Sequence, residues 1–255
     1  MSVELAREVD AIVLTLNRPQ ALNALSFSVL EQISDAIDEV AASDARVLIV
    51  TGAGDKAFCA GADIKELRER TLLAHKRGAE LGQYTFDKLS KLSIPSLACI
   101  NGYAFGGGLE LAMACDFRIA STNAKMGLPE IKLGLMPGYG GTQRLPRLIG
   151  EARALEMVMT GRTVDAEEAL AMGLINQLST DALMEDAKAY AARFTCYSLP
   201  ALGFARDAVK RALDLPVSEG LKVESDLATL VFQTRDAEEG MAAFEEKRAA
   251  KFTDQ

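Results

Sequence analysis

The chain has 255 residues, of which 49% are hydrophobic and 25% are charged, as in an ordinary globular protein. Its net charge of −8 at pH 7 argues against a protein that binds nucleic acid or an anionic membrane, because both are bound through basic surfaces. We therefore expect its partners to be small molecules or other copies of the same chain.

The cysteines and the N-terminal residues indicate a cytoplasmic location. Cys59, Cys99, Cys115 and Cys196 have no CxxC spacing and lie in apolar or mixed runs, which predicts small buried residues in a reducing compartment. No stretch approaches the roughly 18 apolar residues of a membrane span. The N-terminus passes directly into a strand pattern without a signal segment. We predict a cytoplasmic protein without a membrane partner.

The first elements in chain order are a predicted hairpin and a capped helix. Residues 3–7 and 11–16 alternate between apolar and polar side chains about Asp10, which predicts two antiparallel strands. Ser26 is placed to cap the helix that follows. The apolar face of that helix would be formed by Val29, Leu30, Ile33, Ile37 and Val40.

The central segments predict parallel strands separated by helices. Strands are expected within 46–52, 94–102 and 116–121, with an interrupted helical region over 64–92. Because parallel neighbours need long crossover connections, this spacing favours an α/β fold. After about residue 142 the pattern is nearly all helical.

The last predicted helix is too apolar on one face to stand free in a monomer. Asp236 and Glu239 are expected to open it as a capping pair. Its apolar face would carry Met241, Phe244, Arg248 and Phe252. This pattern predicts association between copies of the chain.

Three familiar types of site are excluded by their local context. "GAGDKA" (52–57) matches a dinucleotide-binding pattern, but "FCAG" follows it and delays any helix to about Asp63, whereas the dinucleotide site needs a helix that starts within the glycines. His75, the only histidine, is flanked by Lys76 and Arg77 and is expected to face solvent. A serine triad or a zinc site would need a histidine in a motif. We predict no metal site.

The stretch "NGYAFGGGLELAMACD" (101–116) combines three glycines with a glutamate in an apolar run. A helix over 107–115 places Gly107 and Glu110 on one face. The Gly107 N–H would lie unpaired at the positive end of the helix dipole, where it could hold a ligand oxygen that gains negative charge. Alternatively, the glycines only permit close packing and the glutamate is fortuitous.

A second carboxylate, Glu130, lies between Pro129 and Ile131 in a similarly apolar segment. Two carboxylates in a dry pocket push their pKa values apart, so that one holds a proton while the other is ionised. Such a pair can deliver and remove protons near neutral pH. Glu110 and Glu130 are therefore candidate catalytic residues.

Three blocks resemble the signatures of the enoyl-CoA hydratase/isomerase (crotonase) family: "AFCAGADIKEL" (57–67), "NGYAFGGGLELAMACD" (101–116) and "GLPEIKLGLMPGYGGTQRLPRLIG" (127–150). The segments "LTLNRPQALNALS" and "EGMAAFEEKRAAKF" are also similar to that family. The resemblance implies a crotonase-like spiral of ββα units over residues 1–195. It further implies a C-terminal helical region, residues 196–255, that builds trimers, commonly stacked as hexamers.

The resemblance also implies roles for single residues. The backbone N–H groups of Ala62 and Gly107 would form an oxyanion hole, Glu110 and Glu130 would be the catalytic pair, and the Gly138 N–H would help to hold the attacked water. Coenzyme A would be part of the substrate, with no further cofactor. The residues implied to bind it are Ala60, Ala62, Asp63, Ile64, Lys65, Gly107, Phe244 and Lys247.

The activity implied is hydration of an α,β-unsaturated acyl-CoA thioester. The alternatives are a Δ3,Δ2-enoyl-CoA isomerase, which commonly keeps only the second glutamate, and a non-catalytic oligomeric scaffold or RNA-binding relative. The presence of both Glu110 and Glu130 favours a hydratase. Tyr139 and Leu109 are bulkier or more apolar than is usual in the family. Their side chains either pack the core or narrow the substrate pocket. The sequence therefore leaves the identity of the acyl group open.

Overall fold

Ten strands and eleven α-helices follow one another in the computed structural model, which describes all 255 residues. The strands are β1 (Val3–Glu8), β2 (Ala11–Leu16), β3 (Val47–Gly52), β4 (Ala57–Cys59), β5 (Ser96–Ile100), β6 (Tyr103–Phe105), β7 (Phe117–Ser121), β8 (Lys125–Gly127), β9 (Thr163–Asp165) and β10 (Gln177–Ser179). The helices are α1 (Phe27–Ala41), α2 (Ile64–Leu67), α3 (Leu72–Ser90), α4 (Gly107–Ala114), α5 (Gly141–Ile149), α6 (Glu151–Thr160), α7 (Ala166–Ala171), α8 (Leu183–Thr195), α9 (Leu199–Arg211), α10 (Val217–Val231) and α11 (Arg235–Glu245). Two short 3₁₀-helices cover Pro19–Ala21 and Pro129–Leu133.

The strands form two sheets that run beside each other. The larger sheet has the order β1-β2-β3-β5-β7-β10, and the smaller has the order β4-β6-β8-β9. β1 and β2 pair antiparallel, which confirms the predicted hairpin, while β2, β3, β5, β7 and β10 are all parallel. Each of β3, β5 and β7 is followed by a short strand of the smaller sheet and then by a helix. This repetition is the predicted series of ββα units.

Both faces of the larger sheet are covered by apolar side chains. On β3, Leu48 and Val50 face the main core, whereas Ile49 faces the helix α8 at Ala187 and Ala191. A strand that is buried on both faces reads as a continuous apolar run, as "VLIV" does here.

Helix α1 forms as its sequence predicts. The Ser26 side chain accepts a hydrogen bond from the Val29 N–H at 3.2 Å and so satisfies one of the free donors of the first turn. Its predicted apolar face, from Val29 to Val40, is buried against the core and packs beside α3.

Helix α4 begins at Gly107 and is pressed directly against strand β4. Gly106, just before it, has a φ of +49°, a conformation that side chains rarely adopt. A methyl group on Gly108 would collide with the main-chain carbonyl of Cys59. Every residue of α4 is buried, including Glu110. The glycines thus bring the backbone of α4 against the end of β4.

The predicted start of the last helix is wrong. Thr234, not Asp236, is the cap of α11, and its side chain accepts a hydrogen bond from the Ala237 N–H at 3.1 Å. Asp236 lies inside the first turn, and its buried carboxylate accepts hydrogen bonds from the backbone N–H groups of Thr253 and Asp254 at 2.7 and 2.9 Å. Asp236 therefore fastens the C-terminal tail.

Two further expectations need correction. Glu239 binds Arg248 instead of capping, and α11 ends at Glu245, so Arg248 and Phe252 lie beyond the predicted helical face. Cys196 is exposed because it follows the last turn of α8, whereas the other three cysteines are buried as predicted.

The C-terminal helices expose many apolar side chains. Neither α9 nor α10 contains a buried residue. The large exposed apolar residues of this region include Val209, Leu213, Val217, Leu221, Leu230, Phe232, Met241 and Phe244. The gap between α8 and α9 falls at the predicted division after residue 195, which stays a prediction. No helix has both the length and the apolar character needed to cross a membrane.

Candidate active site

Two backbone N–H groups meet where β4 and α4 approach each other. Gly107 is the first residue of α4, so its N–H has no partner within the helix. Gly61 and Asp63 are both hydrogen-bonded to Leu25, whereas the N–H of Ala62 between them donates no hydrogen bond. A methyl group on Gly61 would lie 3.7 Å from the Gly107 nitrogen. The structure therefore brings the two predicted oxyanion donors together.

The Glu110 side chain lies one turn deeper in α4 and is 1% exposed. Its Oε1 accepts hydrogen bonds from the backbone N–H groups of Tyr139 and Gly141 at 2.8 and 2.7 Å. Gly141 is the first residue of α5, so the carboxylate also lies at the positive end of that helix. These contacts leave Oε2 of Glu110 available to a reacting group.

Glu130 faces the same region from the 3₁₀-helix Pro129–Leu133. Its Oε1 would lie 2.9 Å from a methyl group on Gly106, so the carboxylate is next to the start of α4. Its Oε2 is buried and has no hydrogen-bond partner. Because a buried polar atom without a partner costs free energy, this oxygen indicates a ligand or water that completes the site.

Burial controls the protonation of both carboxyl groups. The pKa of Glu110 is raised to about 7, mainly by burial and in part by the negative charge of Glu130, while the N–H groups of Gly141 and Tyr139 oppose the change. Burial also raises the pKa of Glu130. A group that titrates near neutral pH, as Glu110 does, can both take up and release a proton there, which suits general acid–base chemistry.

The loop over residues 138–141 is held from two sides. The Gly138 carbonyl accepts a hydrogen bond from Gln83 Nε2 at 2.9 Å, and the Tyr139 carbonyl accepts one from Arg144 Nη1 at 3.0 Å. A methyl group on Gly138 would meet nothing within 4 Å, so this residue borders open space beside the site. The sequence analysis did not identify Gln83, Arg144 or the two donors to Glu110. Only the quoted "PGYGGTQR" block indicated their neighbourhood.

The predicted coenzyme A segment leads away from the oxyanion donors. The Ala60 N–H donates to the Leu22 carbonyl at 3.0 Å, and the Asp63 side chain caps α2. Ile64 and Lys65 are exposed on the first turn of α2 and are free to contact a ligand. These residues form one continuous segment that contains the Ala62 N–H and ends in two exposed side chains.

Phe244 and Lys247 are not part of this cluster. Phe244 is 86% exposed on α11, and Lys247 follows that helix with a φ of +55°. No hydrogen bond joins either residue to the surroundings of Glu110. No group of three or more histidine, cysteine, aspartate or glutamate side chains is placed to hold a metal ion.

Three comparisons relate the chain to known proteins. The family model described as enoyl-CoA hydratase/isomerase matches residues 7–255. The chain is 47% identical over 243 residues to a probable enoyl-CoA hydratase of Mycobacterium bovis, covering 94% of this chain and 93% of that protein. It is 40% identical over 253 residues to the crotonyl-CoA hydratase of Syntrophomonas wolfei, covering 98% and 97%. A crystal structure of an enoyl-CoA hydratase from Bacillus anthracis matches with a TM-score of 0.95 at 36% identity, with 100% of both chains covered. The predicted crotonase fold is thereby confirmed, and the chain belongs to the enoyl-CoA hydratase/isomerase family.

Proposed function

We propose that this chain is an enoyl-CoA hydratase, a hydro-lyase that adds water across the 2,3-double bond of an α,β-unsaturated acyl-CoA thioester. The observation that carries this proposal is the buried carboxyl group of Glu110 and the half-buried one of Glu130, whose Oε2 is buried, beside two unpaired backbone N–H groups. The relatives named as enoyl-CoA or crotonyl-CoA hydratases cover nearly the whole chain.

The N–H groups of Ala62 and Gly107 would bind the thioester oxygen. Addition of water moves negative charge onto this oxygen in the transition state. Fixed donors that point at it stabilise that charge without having to reorganise, and loss of one such donor typically costs about 2.7–4 kcal/mol. The glycines at the start of α4 leave space for the thioester to reach the backbone.

The two carboxyl groups would move the protons. Glu110, as the carboxylate, takes a proton from water while the hydroxyl group bonds to C3. Glu130, as the acid, gives a proton to C2, so that hydroxyl and hydrogen are both added. The Gly138 N–H would help to hold the water. Because the two groups influence each other's charge, their titration belongs to the pair.

Coenzyme A would enter as part of the substrate, and we propose no further cofactor. Ala60 and the segment from Ala62 to Lys65 would line it, with Phe244 and Lys247 contributed by a neighbouring copy. This division is supported by the wide exposure of the Phe244 side chain in its own chain.

We further propose a homotrimer or a hexamer of two trimers, formed through the apolar side chains that α9, α10 and α11 expose. The acyl-CoA breakdown that such an enzyme serves would be fatty-acid β-oxidation or a related route. The four free cysteines fit the reducing cytoplasm, which is the location we propose.

Two reactions of the purified protein test the function. Hydration of crotonyl-CoA and isomerisation of a 3-enoyl-CoA are measured for the wild type, Glu110→Gln and Glu130→Gln. A hydratase should lose hydration by about 10²–10⁴-fold in each variant while it stays folded and still binds acyl-CoA.

An isomerase needs a single proton shuttle, so Glu110→Gln would then leave double-bond migration largely intact. Near-normal hydration by Glu110→Gln would contradict the two-carboxylate mechanism. A wild type without turnover of any acyl-CoA would favour the scaffold hypothesis instead.

A further inference from the structure

We infer that Tyr139, seated on Gly82, closes the acyl end of the site and restricts the enzyme to short-chain enoyl-CoA thioesters such as crotonyl-CoA. The inference rests on the proposed hydratase function and adds a substrate class to it. It is carried by the position of one aromatic ring between two helices.

The Tyr139 ring spans the gap from α3 to the first residue of α4. One edge of the ring lies on the backbone of α3, where a methyl group on Gly82 would overlap Cδ1. The opposite edge faces α4, where a methyl group on Gly107 would lie 3.1 Å from Cδ2 and 3.2 Å from Cε2. Phe86 packs edge-on behind the ring, with the two centroids 5.8 Å apart.

This position lies on the path of a long acyl chain. The thioester oxygen is fixed at the Gly107 N–H, and C3 must lie beside Glu110 to be attacked. The Tyr139 N–H donates to Glu110 Oε1 at 2.8 Å, and its ring lies beside Gly107, so Tyr139 borders both groups that would contact the thioester. Carbon atoms beyond C3 that continue over Gly107 therefore meet the ring.

The Tyr139 ring is packed between Gly82 and Gly107 and against Phe86. Tyr139 is only 7% exposed, although no ligand contacts it. Burial raises the pKa of its hydroxyl to about 12, so the Tyr139 side chain is uncharged near neutral pH. The other ionisable groups that act on it are Glu110, Arg70, Glu66 and Cys59.

The contact with the Tyr139 ring also explains why residue 82 is a glycine. Glycine is unfavourable in the interior of a long helix, and Gly82 lies in the middle of the 19-residue helix α3. Any larger residue would push the Tyr139 ring toward Gly107. Gly82 and Tyr139 are therefore a matched pair, in which the missing side chain makes room for the ring.

The test measures kcat/KM for crotonyl-CoA and trans-2-octenoyl-CoA. The wild type should prefer crotonyl-CoA by at least about 10-fold, since a pocket that lacks room for even one methylene discriminates by that much. Tyr139→Ala should raise the ratio of octenoyl-CoA to crotonyl-CoA activity by about 10-fold or more. Tyr139→Phe keeps the ring and should keep the wild-type ratio. All variants retain the backbone N–H that binds Glu110.

Control variants separate an effect of the Tyr139 ring on chain-length preference from a general loss of structure or activity. Tyr84 lies on the exposed side of α3, so Tyr84→Ala should leave the ratio unchanged. Should Tyr139→Ala fail to fold, Tyr139→Leu keeps an apolar contact with Phe86 and should shift the ratio in the same direction. Gly82→Ala should lower crotonyl-CoA activity, and adding Tyr139→Ala should relieve its loss of thermal stability.

The outcomes distinguish this inference from the function on which it rests. Active enzyme with equal use of both chain lengths, or a ratio that Tyr139→Ala and Tyr139→Leu do not change, would overturn the short-chain assignment alone. Absence of hydration with both thioesters would overturn the proposed function and the inference together.

Discussion

The backbone N–H of Gly141 donates a hydrogen bond of 2.7 Å to Oε1 of Glu110, which lies 31 residues earlier in the chain. This bond joins the N-terminus of α5 to the buried carboxyl group on α4. It opposes the effect of burial, because a donor and a positive helix end both favour the ionised form. The position of α5 thus helps to set the charge of the proposed base.

Gly141→Ala should disturb this contact directly. The new methyl group would lie 3.0 Å from Glu110 Oε1 and 3.1 Å from its Cγ, so the carboxyl group must move. We expect kcat for hydration to fall by about 10–100-fold, since small displacements of a catalytic group have effects of this size. Gly220→Ala on α10 adds a methyl group that meets no atom of its own chain within 4 Å and, once sedimentation shows unchanged assembly, should leave turnover unchanged. Equal turnover of both variants would contradict the role of the Gly141 contact.

Glu110 should make stability depend on pH. Its pKa is raised from 4.5 to about 7, so the folded protein holds a proton that the unfolded chain releases above about pH 4.5. The contribution of Glu110 to stability is therefore fully present below pH 4.5 and is lost as the pH rises to about 7. Glu110→Gln cannot titrate. Relative to this variant, the wild type should lose about 2–3 kcal/mol of unfolding free energy between pH 4.5 and pH 8.

Urea unfolding of both proteins at several pH values, at one fixed protein concentration, measures this difference. A constant difference between wild type and Glu110→Gln across the range would show that the Glu110 pKa is not raised by folding.

Arg144 is expected to be a positioning residue. Its half-buried guanidinium binds the Tyr139 carbonyl at 3.0 Å and lies over Gly140, and its charge lowers the pKa of Glu110. Arg144→Met should lower kcat by about 10-fold or more through the displaced loop. It should also move the acidic limb of the pH–rate profile upward, because a positive charge near the carboxylate is lost.

The matched control for Arg144 lies one turn further along α5. Arg147 is exposed and pairs with Asp214, so Arg147→Met should change neither kcat nor the pH profile. The charged or titratable groups that act on Arg144 are Asp87, Glu110 and Cys115. A lower kcat with an unmoved acidic limb would assign Arg144 to loop packing alone.

Gly107→Pro should remove one oxyanion donor while it preserves the helix. Proline is tolerated at the first position of a helix, where its missing N–H has no helical partner. We expect kcat to fall by about 10²–10³-fold from the lost donor. Circular dichroism checks that the variant folds. A folded variant with wild-type turnover would remove Gly107 from the site.

The exposed apolar residues of the last three helices should lie at subunit contacts. We expect sedimentation to give a trimer or hexamer. Removal of residues 236–255 should weaken substrate binding, because it deletes Phe244 and Lys247. Phe244→Ala should raise KM for acyl-CoA with a smaller effect on kcat. A fully active monomer in the same experiment would contradict the proposed assembly.

The sequence predicted the elements that depend on local patterns. Periodicity and capping chemistry predict the hairpin of residues 3–16, the Ser26 cap and the parallel strands. The structure has all three. The donors to Glu110 were not predictable in this way. They depend on Gly140, whose φ of +112° turns the loop so that two N–H groups converge on a helix far away in the sequence.

The misplaced cap of α11 has a similar origin. Asp236 and Glu239 fit a capping pattern, but Thr234 two residues earlier is an equally good cap. What decides between them is the C-terminal tail, which gives the Asp236 carboxylate other donors at Thr253 and Asp254. Only the folded chain brings these segments together.

The contact of Gly108 with the Cys59 carbonyl has a consequence for how such enzymes diversify. It is a contact between main chains, and it fixes α4 against β4, the two elements that carry Gly107 and lead to Ala62. This contact therefore does not depend on the size of a side chain in the acyl pocket. Substitutions at Tyr139 or Gly82 can alter which acyl group fits, while the apparatus that recognises the thioester stays unchanged. New substrates can be acquired on this scaffold without rebuilding its chemistry.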